Sequence, residues 1–190
     1  MKDLSKIISL KIKQLRQERG WSLDRAAQET GVSKAMLGQI ERQESSPTIA
    51  TLWKIATGFQ TSFSALIENE PPHSDVILLR KEQPKQIHPT DNKVKVVTLF
   101  PFDKALNVEM FRLDLLPGCE HLSLAHETGV IEHVIVISGN IEVLVNGRWQ
   151  KLAKGEGLRF AANQPHGYRN TSAKIASFHD IIHYPKAKKL

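Results

Sequence analysis

Cysteine is almost absent from this chain: Cys119 is the only one in 190 residues. A single thiol excludes an intrachain disulfide framework and fits a reducing compartment. No apolar run approaches the roughly 20 residues needed to span a bilayer. Lys2, Lys6, Lys11 and Lys13 interrupt any signal-peptide core. A cytoplasmic protein with no membrane attachment is the expectation. Internal repeats and low-complexity tracts are also missing. So is a local surplus of positive charge. The net charge is +6, yet residues 1–70 carry ten Lys/Arg against eight Asp/Glu, and residues 71–190 carry sixteen against twelve. Any surface that meets a polyanion must arise from placement rather than excess.

What is present falls into two halves with different periods. Leu4, Ile8, Ile12 and Leu15 form one stripe of a helix that Gly20 stops. Ser22 is placed to cap a second helix ending at Gly31, and Ser33 a third running to about Arg42, with Leu37 and Ile40 inward. After Pro47, Thr48 caps a fourth helix that Gly58 ends, and Ser62 opens a short fifth. Residues 1–68 therefore read as an all-α five-helix bundle. Residues 69–75, with adjacent prolines, read as an extended linker. From residue 76 to 190 the period becomes two. Lys93–Leu99, Asn107–Leu116, Val134–Ile137, Ile141–Val145, Arg148–Leu152, Leu158–Ala161, His166–Asn170 and Ile175–Ile182 predict about eight strands, with Asn146-Gly147 as a two-residue hairpin turn. The fold class predicted is α + β in two domains, the second an antiparallel β-barrel or jelly roll.

The run Ser22-Leu23-Asp24-Arg25-Ala26-Ala27-Gln28-Glu29-Thr30-Gly31-Val32-Ser33, followed by Leu37, Ile40-Glu41 and Ser46-Pro47-Thr48, resembles the phage-repressor (Xre/Cro) class of helix-turn-helix domains. The resemblance covers roughly residues 5–68. It implies that Arg16 pairs with Glu41 to lock the first helix onto the third. It also implies that Ser33, Lys34, Ala35 and Gln39, near the start of the third helix, face DNA. Gln pairs with adenine, Lys donates to guanine, and an Ala methyl meets the thymine methyl. Arg42, Ser46 and Thr48 are the candidates for phosphate contact, which positions without specifying sequence. Gly38 departs from expectation inside the recognition helix, where it costs about 1 kcal/mol relative to Ala.

The second half resembles the cupin family over roughly residues 105–183, through Pro117-Gly118, His126, Glu132 and Gly139, then Gly155, Pro165-His166 and Asn170. Leu124 stands where that family's first histidine would be. His126, Glu132 and His166 make a two-histidine, one-carboxylate set suited to Zn, Fe or Mn, each expected on a different strand and facing inward. His121 is out of phase with His126 and would join only through a bulge. Tyr168, in phase with His166, is placed to line the same ligand pocket. The alternative is a metal-free pocket, mostly apolar. Cys119 is either an inert or a redox-sensing thiol.

A helix-turn-helix head with a cupin-like tail resembles one-component regulators. The implied function is a homodimeric, non-enzymatic regulator that binds double-stranded DNA operators and a small effector, an amino acid or sulfur-containing metabolite. The alternative is a metal-dependent cupin enzyme fused to a DNA-binding domain.

Overall fold

A computed structural model of the protein describes residues 2–67, 86–87 and 93–185. The chain divides into two compact units, Met1–Ser74 and Asp75–Leu190. The proposed linker, residues 69–75, lies outside the described residues.

The first unit has five helices: α1 (Lys2–Glu18), α2 (Leu23–Thr30), α3 (Lys34–Glu41), α4 (Ile49–Gly58) and α5 (Phe63–Ile67). Their boundaries follow from the capping chemistry legible in the sequence. The hydroxyls of Ser22, Ser33 and Thr48 accept from the backbone N–H groups of Arg25, Met36 and Thr51. Each satisfies a helix-start donor and contributes about 1 kcal/mol. Gly31 ends α2 in the left-handed region at φ 64, where a Cβ is penalised. Ile8, Ile12, Val32, Leu37, Ile40, Leu52, Ile55, Phe59 and Leu66 form the core. Trp21 stacks on Phe59 at 5.0 Å and Trp53 on Phe63 at 4.3 Å.

Gly58 ends α4 as its last helical residue, and Phe59 is the cap. The role of Gly58 is steric. A Cβ there would stand 2.5 Å from both the Glu29 carbonyl oxygen and the Thr30 Cα. The α4 backbone thus runs directly against the end of α2. Gly38 is a different case. Its added Cβ would meet only the Arg42 Nη1, at 3.1 Å, and Leu23 Cδ1, at 3.7 Å.

The second unit is antiparallel throughout: β1 (Gln86–Ile87), β2 (Val94–Asp103), β3 (Val108–Leu115), β4 (Cys119–Ser123), β5 (Ile131–Ser138), β6 (Asn140–Val145), β7 (Arg148–Ala153), β8 (Gly157–Ala161), β9 (His166–Asn170) and β10 (Ala176–His183). The described ladders form two sheets, β1-β2-β3-β10-β5-β8 and β4-β9-β6-β7, rather than one closed ring of strands. The two antiparallel sheets match the jelly-roll form of the expectation, and among the described ladders they do not close into a barrel. The two inner faces meet through contacts such as Tyr168 on β9 against Phe178 on β10, with ring centroids 4.9 Å apart. The Asn146-Gly147 hairpin joins β6 to β7 with both residues at positive φ, 51 and 72, as its turn type requires. Two strands, β1 and β4, were not anticipated.

Candidate functional site

Two surfaces carry polar chemistry that the folding of their elements does not require. The first is the outer edge of α3. Leu37 and Ile40 are buried at 0% and 1% exposure, whereas Lys34, Ala35, Met36 and Gln39 are exposed. The helix therefore has a clamped edge and a free one. The clamp is a bidentate ion pair. Arg16 Nε donates to Glu41 Oε1 at 2.7 Å, and its Nη2 donates to Oε2 at 2.8 Å. Arg16 Nη1 also reaches the Trp21 carbonyl at 2.9 Å. The Glu41 hydrogen bond and charge raise the Arg16 pKa despite some desolvation.

On the free edge, Lys34 pairs with Asp24 at 2.8 Å and Arg42 with Glu44 at 2.8 Å, all exposed. Arg42 is held above its usual range by Glu44, and Glu44 below its own by Arg42. Ser33 and Thr48 act as caps, and the Ser46 hydroxyl lies 3.1 Å from that of Ser5. The candidate DNA residues are thus on or beside α3, several with a second, local job. Met36, 41% exposed, was overlooked from the sequence.

The second surface lies between the sheets. Glu132 on β5 is buried at 1%. Its Oε1 lies 3.0 Å from His126 Nε2 and 3.3 Å from His166 Nε2. The Tyr168 hydroxyl donates to Oε2. Ligand-capable atoms of His126, Glu132 and His166 all fall within 4.8 Å of one another. Burial opposes ionisation of Glu132, but hydrogen bonds and charge from the two histidines outweigh it and hold its carboxyl below the ordinary range. His166 is desolvated as well, yet Glu132 raises its pKa. Tyr168 is pushed well up by burial and by Asp180 and Glu132. The His166 Nδ1 lies 2.9 Å from the Gln164 carbonyl. A proton on Nδ1 satisfies that carbonyl and leaves Nε2 facing a carboxylate oxygen. Such a pair needs a second proton or a cation between its atoms, which is the arrangement of metal-bound histidines. The donor set fits a divalent transition metal.

Of the residues expected here, Glu132, His166 and Tyr168 come from strands. His126 does not: β4 ends at Ser123, and His126 follows in the connection to β5. The phase argument against His121 fails for the same reason. His121 is buried on β4 opposite Tyr168, without a bulge, yet it stands outside the three-residue cluster. Leu124 is 56% exposed and takes no part. Cys119 is buried. Asp180 and Glu109, both buried, were missed. The alternation Ala176, Phe178, Asp180, Ile182 places an acid on an otherwise apolar face and was the signal.

The chain thus joins a capped helix pair with one free polar edge to a two-sheet unit with a buried histidine–glutamate cluster. A helix-turn-helix family model matches residues 12–66, and a cupin domain model matches residues 111–182. The chain belongs to the family of helix-turn-helix transcriptional regulators that carry a cupin domain. It is 49% identical over 187 residues to the HTH-type transcriptional regulator SutR of Escherichia coli (strain K12), covering 98% of this chain and 100% of that one. It is 25% identical over 168 residues to the HTH-type transcriptional regulator PuuR of the same organism, covering 87% and 88%. A crystal structure of an HTH_3 family transcriptional regulator from Vibrio cholerae superposes with TM-score 0.85 at 44% identity, covering 96% and 97%. An Fe(II) HppE structure, 18% identical with TM-score 0.50 over 94% and 99%, shares the fold alone. Among the described residues no helix is long and apolar enough to cross a membrane.

Proposed function

We propose that the protein binds operator DNA through α3 and that a small effector, held between the two sheets of the cupin unit, changes its operator affinity. The carrying observation is the division of α3 into a buried apolar edge and an exposed edge bearing Lys34, Ala35 and Gln39. Such a helix, clamped from behind, is what a major groove admits. Arg42, Ser46 and Thr48 serve the flanking phosphates, and Ser33 the helix start. To reach DNA, Lys34 and Arg42 exchange Asp24 and Glu44 for the nucleic acid. Both pairs are exposed and screened by solvent, so the exchange costs little. Two heads on a two-fold operator require a homodimer.

Lys34→Ala and Gln39→Ala test the reading. Each is expected to lower discrimination between operator and random DNA by about 1–3 kcal/mol, measured by fluorescence anisotropy at fixed salt. Parent-like discrimination in both variants removes α3 from the interface.

The buried cluster supports a second element of the proposal: His126, Glu132 and His166 hold a divalent ion (Zn, Fe or Mn), with Tyr168 orienting Glu132. Elemental analysis of the purified protein is expected to find about one ion per chain, and Glu132→Gln to lose it. Equal metal in both proteins places any ion elsewhere. The competing reading, a cupin enzyme fused to a DNA-binding domain, draws on the same cluster and requires turnover of a substrate.

A further inference from the structure

The four-stranded sheet turns one face toward the histidine cluster and the other outward. Ile141, Val143, Leu152 and Tyr168 are buried on the inward face. The outward residues fall into two cross-strand rows that follow the order β4-β9-β6-β7. Leu122, Gly167, Leu144 and Trp149 make one row; Glu120, Arg169, Glu142 and Lys151 make the other. The first row is apolar and open to solvent: Leu122 is 56% exposed, and Leu144 and Trp149 are half-buried. A Cβ on Gly167 would stand 2.9 Å from Leu122 Cδ2 and 2.6 Å from the His121 carbonyl oxygen. The Leu122 side chain therefore lies across Gly167, and that end of the row stays flat.

The charged row is closed in the middle and open at both ends. Arg169 Nε donates to Glu142 Oε2 at 2.7 Å. Its guanidinium lies 4.1 Å from the Trp149 ring centroid, which joins the two rows. These central side chains are withdrawn from solvent, at 29% exposure for Arg169 and 11% for Glu142. Glu120, 54% exposed, reaches Arg169 Nη1 only at 3.9 Å. Lys151 is exposed at the far end. Across the sheet the charges run minus, plus, minus, plus. Read in the opposite direction, that row is its own complement.

We propose that this face is where two copies of the chain pair, about a two-fold axis that runs along the strands. Such an axis reverses the strand order across the interface and keeps the strands aligned, which is an ordinary packing for two sheets. Reversal sets Glu120 against Lys151 of the second copy and Lys151 against Glu120 of the second copy, one contact made twice. The two central pairs meet with their signs opposed. In the apolar row Leu122 meets Trp149, and the low Gly167 position meets Leu144. An axis across the strands keeps the row order instead. It sets Glu120 on Glu120 and Lys151 on Lys151, which like-charge repulsion opposes. A partner of another kind has no need of a row that complements itself. The inference rests on the homodimer that the operator reading above requires, and it supplies the surface and the pairs.

Sedimentation equilibrium on the full-length protein tests it. The parent is expected to be a dimer. Glu120→Lys and Lys151→Glu each set like charges together at both symmetric contacts, and each is expected to raise the dimer Kd about tenfold or more. An equimolar mixture of the two variants has opposite charges at both contacts and is expected to form heterodimers with near-parental Kd. The doubly exchanged chain, Glu120→Lys with Lys151→Glu, is expected to dimerise like the parent. If circular dichroism shows that a single variant has not folded, the doubly exchanged chain and Leu122→Asp decide, the latter setting a carboxylate against Trp149. A monomeric parent, parental Kd in folded single variants or in folded Leu122→Asp, or a mixture of folded variants that stays monomeric overturns the surface. Operator binding on the same samples separates this from the DNA reading. Parental dimers that still discriminate operator through Lys34 and Gln39 leave α3 in the groove and place the pairing on another face. Monomeric variants that bind operator as the parent does leave the surface standing and remove the need for two heads.

Discussion

Arg16→Ala is expected to lower the stability of the helical unit by about 3 kcal/mol, with loss of operator binding at temperatures where the parent is folded. The reason is asymmetric. The pair is largely buried, with side-chain exposures of 17% for Arg16 and 8% for Glu41. Removing the cation leaves a carboxylate facing the interior with both oxygens stripped of donors. Breaking a buried pair from one side is far worse than never having had it. The Trp21 carbonyl loses its guanidinium donor as well. Small domains have about 5–15 kcal/mol in total, so a large share would go. At a urea slope of about 1.5 kcal/mol/M the midpoint falls by about 2 M, read from the helical circular dichroism signal. Glu41→Gln retains an acceptor and leaves no buried carboxylate, so it is expected to lose less. An unmoved midpoint in Arg16→Ala would show that α1 and α3 are held by packing alone.

The second large effect runs against helix propensity. Ala is favoured over Gly inside a helix by about 1 kcal/mol, so Gly38→Ala and Gly58→Ala look alike on paper. At position 38 the new methyl meets the end of the Arg42 side chain, which swings aside. Gly38→Ala is expected to gain most of that 1 kcal/mol. At position 58 the methyl meets backbone atoms of Glu29 and Thr30 at 2.5 Å, and the two helices must separate. Overpacking of this kind costs about 1–3 kcal/mol, which exceeds the reduced propensity gain available at the last residue of a helix. The effect reaches further, because the helix pushed away is α2, which carries Ser22 and Asp24. Thermal unfolding of the two variants is expected to shift in opposite directions. A shift in the same direction for both would mean that α4 does not sit against the end of α2.

The helical unit was readable because its boundaries are local events. Ser22, Ser33 and Thr48 are read as caps from three or four residues, and the structure places each hydroxyl on the expected donor. The Arg16–Glu41 contact came from the family pattern, since nothing in a span of 25 residues announces it. Gly58 was read correctly as the end of α4, but its steric role was not legible, because a close approach between α4 and α2 depends on which backbone arrives from elsewhere. In the second unit, strands with plain alternation were found. Strand β4 was missed because its inward residues, Cys119 and His121, are not the aliphatic pair that alternation seeks. That omission carried over to the site. With β4 ending at Ser123, His126 belongs to a connection, and its phase relative to His121 has no meaning. The division into two sheets rests on pairings far apart in sequence, such as β3 with β10, and these leave no mark on a local pattern.

The hydrogen bond from Tyr168 to Glu132 has a consequence for coordination number. With Oε2 engaged by the phenol, Glu132 would offer a divalent ion a single oxygen beside the imidazoles of His126 and His166. Three protein donors of this kind would leave the remaining ligands to be supplied from outside the chain. A small molecule that chelated such an ion would then be retained over one attached through a single atom.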